Sequence, residues 1–377
     1  DILDELSASV QKLPQPWLLM YADDIALVDG DKGRLTRRVH AWREALENGG
    51  LKLNVAKTEY MACNSTDLTS LRIGDGRHRR AHGQLQEILT GAANICLVGG
   101  TELMSSLPLL VRNVRFGTSL GTAYKLEDHI KKQLVDTFCG HSMEKIAEQI
   151  AKKYKLSREA VDQYTLLSHI KWSSAQEAKV FDDEITPTFA KVDKKDAIVR
   201  DEKPRSNLLL EDLATLAPVM DDGSIITSGN SSAPADGAAA LILANEESVN
   251  KFKVTPMARL TAWACVGVDP VEAGLGAVVA ILKLLAVSNK KIKDVDLFEI
   301  NETFASQAIA IVKELRIDPS KVNVNGGALS VGNPVAATGA RMAAHLSHQI
   351  RRNNARIAVA ASSCGGGQGV AILLESL

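Results

Sequence analysis

The side chains that could do chemistry gather in three C-terminal stretches. These are Asn301-Glu-Thr-Phe304, the glycine-rich run Asn325-Gly-Gly-Ala-Leu-Ser-Val-Gly-Asn-Pro-Val-Ala-Ala-Thr-Gly-Ala-Arg341, and Ser362-Ser-Cys-Gly-Gly-Gly-Gln-Gly369. Asn333, inside the second, has no nitrogen that titrates near neutral pH, so it cannot be a general base, although it can donate a hydrogen bond. Ser363 carries a hydroxyl whose pKa is far too high for it to ionise unaided near neutral pH. Successive side chains on an extended segment face opposite ways, so Cys364 faces away from whatever Ser363 faces and reads as an inert, buried cysteine. Gly365, Gly366 and Gly367 read as a tight turn. Asn301 reads as an amide capping the helix that follows it. Two adjacent carboxylates, Asp23 and Asp24, interrupt the apolar run Leu18–Leu27 and read as solvated groups on a hairpin.

These groups need elements to hold them. Gly326, Gly327 and Gly332 permit backbone with positive φ, and Pro334 suits the first turn of a helix. That helix starts small, with Ala336, Ala337, Gly339 and Ala340, so it can lie close to other backbone. From Ser224 onward short strands alternate with helices. Strands are expected near 225–228, 239–244, 259–265, 295–300, 322–324, 357–361 and 371–374, and helices at 277–287, 303–315 and 335–352. Asn94–Val98 reads as a buried strand. Ser157 caps a helix whose apolar positions are Val161, Tyr164, Leu167 and Ile170. The alternation argues for an α/β fold with a mostly parallel sheet covered on both faces.

The chain has 377 residues, 45% of them hydrophobic, with a net charge of −1. That is enough for two domains and a large core, and gives no general reason to expect a nucleic acid or an anionic membrane as partner. Five cysteines, an odd number without a CxxC pair, point to a reducing compartment and no zinc site. No apolar run reads as long enough to span a membrane; the closest, Gly274 to Val287, carries Lys283. The acidic start, Asp-Ile-Leu-Asp-Glu-Leu, reads as neither a secretory signal nor an Arg-rich transit peptide. An intracellular protein is expected, and a chain that is a fragment or a fused gene product.

Residues 1–65 read differently from the rest. Tyr21-Ala-Asp-Asp24, a charged helix over 31–47, and Gly50-Leu-Lys-Leu-Asn with Lys57-Thr-Glu together resemble the palm of reverse transcriptases from non-LTR retroelements. The resemblance implies a small α+β palm-like fragment in which Asp23 and Asp24 would hold Mg²⁺ for nucleotidyl transfer. About 65 residues cannot supply the further carboxylate, fingers and template channel, so the pair reads as vestigial and polymerase activity as the least favoured function. Residues 66–83 form a basic junction without aromatic stacking partners.

From about residue 84 to 377 the three stretches, with Val111-Arg-Asn-Val-Arg-Phe-Gly117, resemble the thiolases, and within them the monofunctional 3-ketoacyl-CoA thiolases. The resemblance implies a layered α/β fold with a truncated N-terminal half over 84–250, a loop domain at about 103–222 and a C-terminal domain over 251–377. It implies acyl transfer between a 3-ketoacyl-CoA and CoA, with CoA as substrate and no cofactor, a homo-oligomer, and a mitochondrial setting. The family needs a nucleophilic cysteine in a Cys-Gly-Ser/Ala-Gly segment, a histidine in Gly-His-Pro and a second cysteine in Cys-x-Gly-Gly-Gly. Here the first falls near Gly74 with no cysteine, the second is Asn333 and the third is Ser363, with Cys364 one residue late. Asn301 matches the family's oxyanion-hole asparagine. Gly365 to Gly367 match the turn that offers N–H groups to the thioester oxygen. Ser232 matches the pantetheine-binding serine, Arg205 a basic residue near the CoA nucleotide, and Met143 a wall of the acyl channel. The expectation is a thiolase-like chain without turnover, with a non-catalytic acyl-CoA-binding module as the alternative.

Overall fold

The computed structural model describes residues 18–21, 24–27, 71–73, 76–78, 88–89, 91–188 and 197–377, the first four segments by backbone alone. Contacts divide the chain into two units, Asp1–Asn94 and Ile95–Leu377. In the first, β1 (Leu18–Tyr21) pairs antiparallel with β2 (Asp24–Leu27), Tyr21 opposite Asp24. A second hairpin joins β3 (Leu71–Ile73) to β4 (Gly76–His78) inside the stretch read as a junction. Asp23, Cys63, Gly74, the expected helix over 31–47 and the stretch Gly50-Leu-Lys-Leu-Asn lie outside the described residues.

The second unit is built on a four-stranded sheet of 297–300, 357–364, 368–375 and 259–267, in that spatial order. These are β9 (Arg259–Gly267), β10 (Leu297–Ile300), β11 (Ile357–Cys364) and β12 (Gln368–Glu375). β10 and β11 are parallel, whereas β11–β12 and β12–β9 are antiparallel. The expected mostly parallel sheet is therefore corrected to a mixed one. Gly365–Gly367 close a hairpin between β11 and β12, and a hairpin forces antiparallel pairing.

Both faces of this sheet are covered. On one lies helix α3 (Gly276–Val287), whose Ala277, Ala280, Ile281 and Leu284 are wholly buried with Phe298, Val359 and Leu373. Each such large aliphatic side chain contributes roughly 1.5–3 kcal/mol. Pro270–Val287 is in fact long and apolar enough by length and composition to cross a membrane, which corrects the sequence reading; in the fold it runs along this core. Helix α4 (Ala305–Leu315) adds Ile311 and Leu315 to the same core and meets α1 (Met143–Lys153) and α2 (Arg158–Glu177).

On the other face, α5 (Val335–Arg351) buries Met342, Leu346 and Ile350 against Ala358, Ala360 and Leu374. Its small start packs on a ribbon of β5 (Ile95–Glu102) and β8 (Gly237–Ala244), while β6 (Leu109–Leu110) and β7 (Glu127–Asp128), between them in the chain, pair with each other. A Cβ at Gly100 would stand 1.8 Å from the Ala336 carbonyl oxygen, so the close approach needs glycine there. Glu102 accepts from the Ala336 N–H at 3.1 Å, setting a carboxylate at the positive end of the helix. β5 is not a buried strand: Cys96 is buried while Ile95 and Leu97 are exposed, the alternation of a one-sided ribbon.

Other expectations shift for local reasons. Residues 225–228 are not a strand, because the Glu148 carboxylate takes the N–H groups of Ser224, Ile225 and Ile226 at 3.0–3.1 Å. Burial pushes the Glu148 carboxyl up, yet these donors hold it below its ordinary value. Residues 322–324 are not a strand either. Asn323, with φ of 45°, uses its side chain in place of a strand, accepting from Ile300 N at 2.8 Å and donating to Ile300 O at 2.9 Å. Ser157 does cap α2, accepting from Ala160 N at 3.1 Å. The buried face of α2 is Val161, Thr165, Ser168, Trp172 and Ala175, however, and Leu167 and Ile170 are exposed.

Candidate active site

The three C-terminal stretches converge around the ends of β10 and β11. Asn301 follows β10 directly, its N–H donating to Ala361 O at 2.9 Å, so the sheet itself fixes it beside β11. Its amide nitrogen reaches the hydroxyls of Thr303 at 3.3 Å and Ser362 at 3.4 Å, and its carbonyl oxygen is buried with no hydrogen-bond partner. Asn301 does not cap α4, whose first turn is preceded by Phe304 without a side-chain cap. Ser362 was missed in the sequence because its neighbour Ser363 carries the motif match; its place beside Asn301 follows from the pairing of β10 with β11.

Segment 231–234 joins Asn301 to Asn333. Ser232 N donates to Thr303 O at 2.9 Å, and Asn333 N donates to Ala233 O at 2.9 Å. Asn333 is 7% exposed, and its side chain pairs with the Thr338 hydroxyl at 2.9 Å across the first turn of α5. That hydroxyl also lies 3.0 Å from Pro334 O. The glycine at 332, with φ of 92°, has no room for a Cβ, which would stand 2.7 Å from the Ala235 Cβ.

Ser363 turns away from Asn301 toward the start of α3. Its hydroxyl donates to Gly274 O at 2.9 Å and accepts from Ala277 N at 2.9 Å, so it ties the sheet to a helix N-terminus. Cys364, expected to be buried, is exposed at the hairpin end opposite Gln368. Nearby groups still desolvate its thiol and push its pKa up, so it is protonated near neutral pH. Gly366 does not offer its N–H to a ligand: it donates to the Asp136 carboxylate at 3.1 Å. Met143, at the start of α1, approaches the turn, its sulfur 3.8 Å from where a Cβ at Gly365 would stand.

Beneath this surface Glu302 is 1% exposed and receives four donors: Tyr164 Oη at 3.1 Å, Asn323 Nδ2 at 2.7 Å, Ser168 Oγ at 2.9 Å and Leu329 N at 3.2 Å. Burial, working against these donors, leaves its carboxyl above the ordinary value. Gly327 makes room for it, since a Cβ there would stand 2.5 Å from Glu302 Cδ. Sequence reading passed over Glu302, although Glu directly after Asn301 was visible.

Arg205 stands apart from this cluster. It is exposed and lines an open cleft of about 540 Å³ with Pro204, Ser206, Asn207, Leu208 and Asp212. Its backbone N–H donates to His169 Nδ1 at 3.1 Å, which requires that nitrogen to be unprotonated. Burial, and then the Arg205 charge, lower the His169 pKa to about 4. A folded value below the unfolded one gives stability that is present above about pH 6.5 and lost as pH falls toward 4. In acid unfolding monitored between those limits, His169→Asn is expected to remove a loss of about 1–3 kcal/mol from the pH profile; an unchanged profile would count against this role. Of the vestigial pair, Asp24 opens β2 and Asp23 lies outside the described residues.

The sequence matches two family models, the thiolase N-terminal domain over residues 81–247 and the thiolase C-terminal domain over residues 254–376. The mitochondrial 3-ketoacyl-CoA thiolase of Bos taurus is 44% identical over 292 residues, 77% of this chain and 74% of its own length. The acetyl-CoA acetyltransferase of Shinella zoogloeoides is 41% identical over 305 residues, 81% of this chain and 77% of its own. Human mitochondrial 3-ketoacyl-CoA thiolase solved in complex with CoA superposes with a TM-score of 0.75 at 43% identity, covering 78% of this chain and 73% of that one. Both family domains are matched, in order, on the layers and loops described above, and the chain therefore belongs to the thiolase family of acetyl-CoA acyltransferases.

Proposed function

We propose that this chain binds CoA and its thioesters without completing the family's acyl transfer. The observation that carries the reading is Asn333 at the place of the family's histidine, nearly buried and tied to Thr338. An amide there cannot accept the proton that a thiol nucleophile must lose. Ser363, at the place of the second cysteine, supports the same reading, because its hydroxyl is engaged by Gly274 and Ala277. Cys364 is the one cysteine within the three stretches, and desolvation pushes its thiol pKa up, so it is not a ready nucleophile. Binding is supported by the CoA complex of the related human structure and by the retained Ser232, Met143 and the Arg205 cleft. Asp23 and Asp24 carry no part of this function. Relatives named as mitochondrial support a mitochondrial location for this chain too.

Two measurements on the purified full chain test the reading. Titration calorimetry with CoA and with acetyl-CoA is expected to show binding, and an absorbance assay of 3-ketoacyl-CoA thiolysis to show no turnover. Turnover abolished by Cys→Ala at Cys63, Cys96 or Cys364 would restore the enzyme reading that the sequence similarity favours. Absence of any CoA binding would remove the receptor reading.

A further inference from the structure

The turn of Gly365, Gly366 and Gly367 is held at each of its residues. Gly367 O accepts from Val268 N at 2.7 Å, and a Cβ at Gly367 would stand 2.2 Å from Val268 O. Met143 abuts Gly365, and Asp136 takes the Gly366 N–H. Asp136 and Met143 belong to one closed loop. It is fastened by the pairing of Val135 with Ser142, by Asp136 N donating to His141 O at 2.9 Å and by Gly140 N donating to Asp136 O at 2.9 Å. The second oxygen of Asp136 accepts from Phe138 N and Cys139 N, both at 2.9 Å. Asp136 itself is 8% exposed. A buried carboxylate with three backbone donors, one of them from a distant hairpin, is a fixed strut between the loop and the turn.

A three-glycine turn has large conformational freedom, and two of its residues here take a φ of 77°. N–H groups stabilise a carbonyl oxygen well when they are fixed before the ligand arrives. We infer that Asp136 is a positioning residue that presets the glycine turn for a thioester carbonyl and withholds the Gly366 N–H from it. This rests on the reading that the turn meets the ligand's carbonyl. Burial pushes the Asp136 carboxyl up, but the N–H groups of Cys139, Phe138 and Gly366 outweigh it and hold the carboxyl below its ordinary value, so the strut stays charged through mildly acidic pH. Cys139 beside it is pushed the other way by burial and remains a thiol.

Asp136→Asn separates the strut from the loop. The amide oxygen can keep the two donors of its own loop, which leaves the NH₂ group facing the Gly366 N–H, donor against donor. The expected result is a loss of about tenfold in acetyl-CoA affinity, with CoA affinity unchanged because free CoA has no thioester carbonyl. The CoA measurement also reports that the variant is folded. Equal acetyl-CoA to CoA affinity ratios in parent and variant would overturn the inference. Glycine-selective ¹⁵N spectra read the strut without any ligand. The Gly366 amide proton is expected to be shifted downfield and slow to exchange in the parent, and to lose both properties in Asp136→Asn. If the parent binds neither acetyl-CoA nor CoA, the receptor function fails, and the Gly366 signal decides the strut: unchanged on substitution, it overturns it, and collapsed, it supports it.

Discussion

Asn333→His combined with Ser363→Cys is expected to leave 3-ketoacyl-CoA thiolysis at background. The pair rebuilds the proton-transfer side of the site. The thiol at 363 would inherit the place between Gly274 O and Ala277 N at the start of α3, where the helix dipole favours a thiolate. No thiol is thereby supplied to receive the acyl group. Members of a catalytic unit are grossly non-additive, and the loss of a nucleophile alone costs on the order of 10⁶ in turnover in a well-studied hydrolase. Replacing residues 1–83 by the N-terminal segment of an active thiolase that carries Cys-Gly-Ser-Gly, together with both substitutions, is expected to raise turnover by several orders of magnitude. A repaired chimera that binds CoA yet stays silent would show that the scaffold has diverged beyond Asn301, Ser232 and the glycine turn.

The largest stability effect is expected at Glu302. Glu302→Ala strands Leu329 N and Asn323 Nδ2 in the interior, together with the hydroxyls of Tyr164 and Ser168. Buried donors left without an acceptor cost about 1–3 kcal/mol each when they cannot relax. The hydroxyls can rotate to other partners, so a total of about 3–5 kcal/mol is expected, at the high end for a single substitution. Glu302→Gln keeps the shape and two or three of the four bonds, and is expected to cost roughly half as much. Thermal unfolding followed by calorimetry checks both. A melting temperature for Glu302→Ala within one degree of the parent's would refute the hub. The variant is also expected to lose order at Asn323 and Gly327, which Glu302 holds next to Asn301.

Much of this protein could be read from its residues. Five of the seven strands expected after Ser224 form, at or near their expected places, and so do the three helices, because apolar periodicity and glycine or proline punctuation are local signals. Gly100 apart, the small start of α5 announced its close packing, and Ser157 announced its cap. The stretches that hold Asn301, Asn333, Ser363 and the glycine turn were visible in advance because each is short and contiguous, and the fold brings them to the ends of β10 and β11.

What sequence reading missed depends on partners far away along the chain. The two failed strands, near 225–228 and 322–324, have the right side chains, but Glu148 and the Asn323 side chain take over the hydrogen bonding that a neighbouring strand would have provided. Strand direction was misread, because strand–helix alternation suggests parallel crossovers, whereas β11 and β12 are joined directly by the glycine hairpin, which forces antiparallel pairing. Leu167 and Ile170 lie at helical spacing from Val161 yet face solvent, since the surface that covers α2 comes from the Glu302 and Gly327 region and prefers Ser168 and Trp172. The direction of the Ser363 hydroxyl, the exposure of Cys364 and the capture of Gly366 by Asp136 are contacts across 86 to 230 residues or the result of a hairpin end. Residue types and spacing determined which polar groups the three stretches carry; only the tertiary contacts decided which hydrogen-bonding capacity those groups have left, because a buried donor or acceptor is spent on its nearest partner wherever in the chain that partner lies.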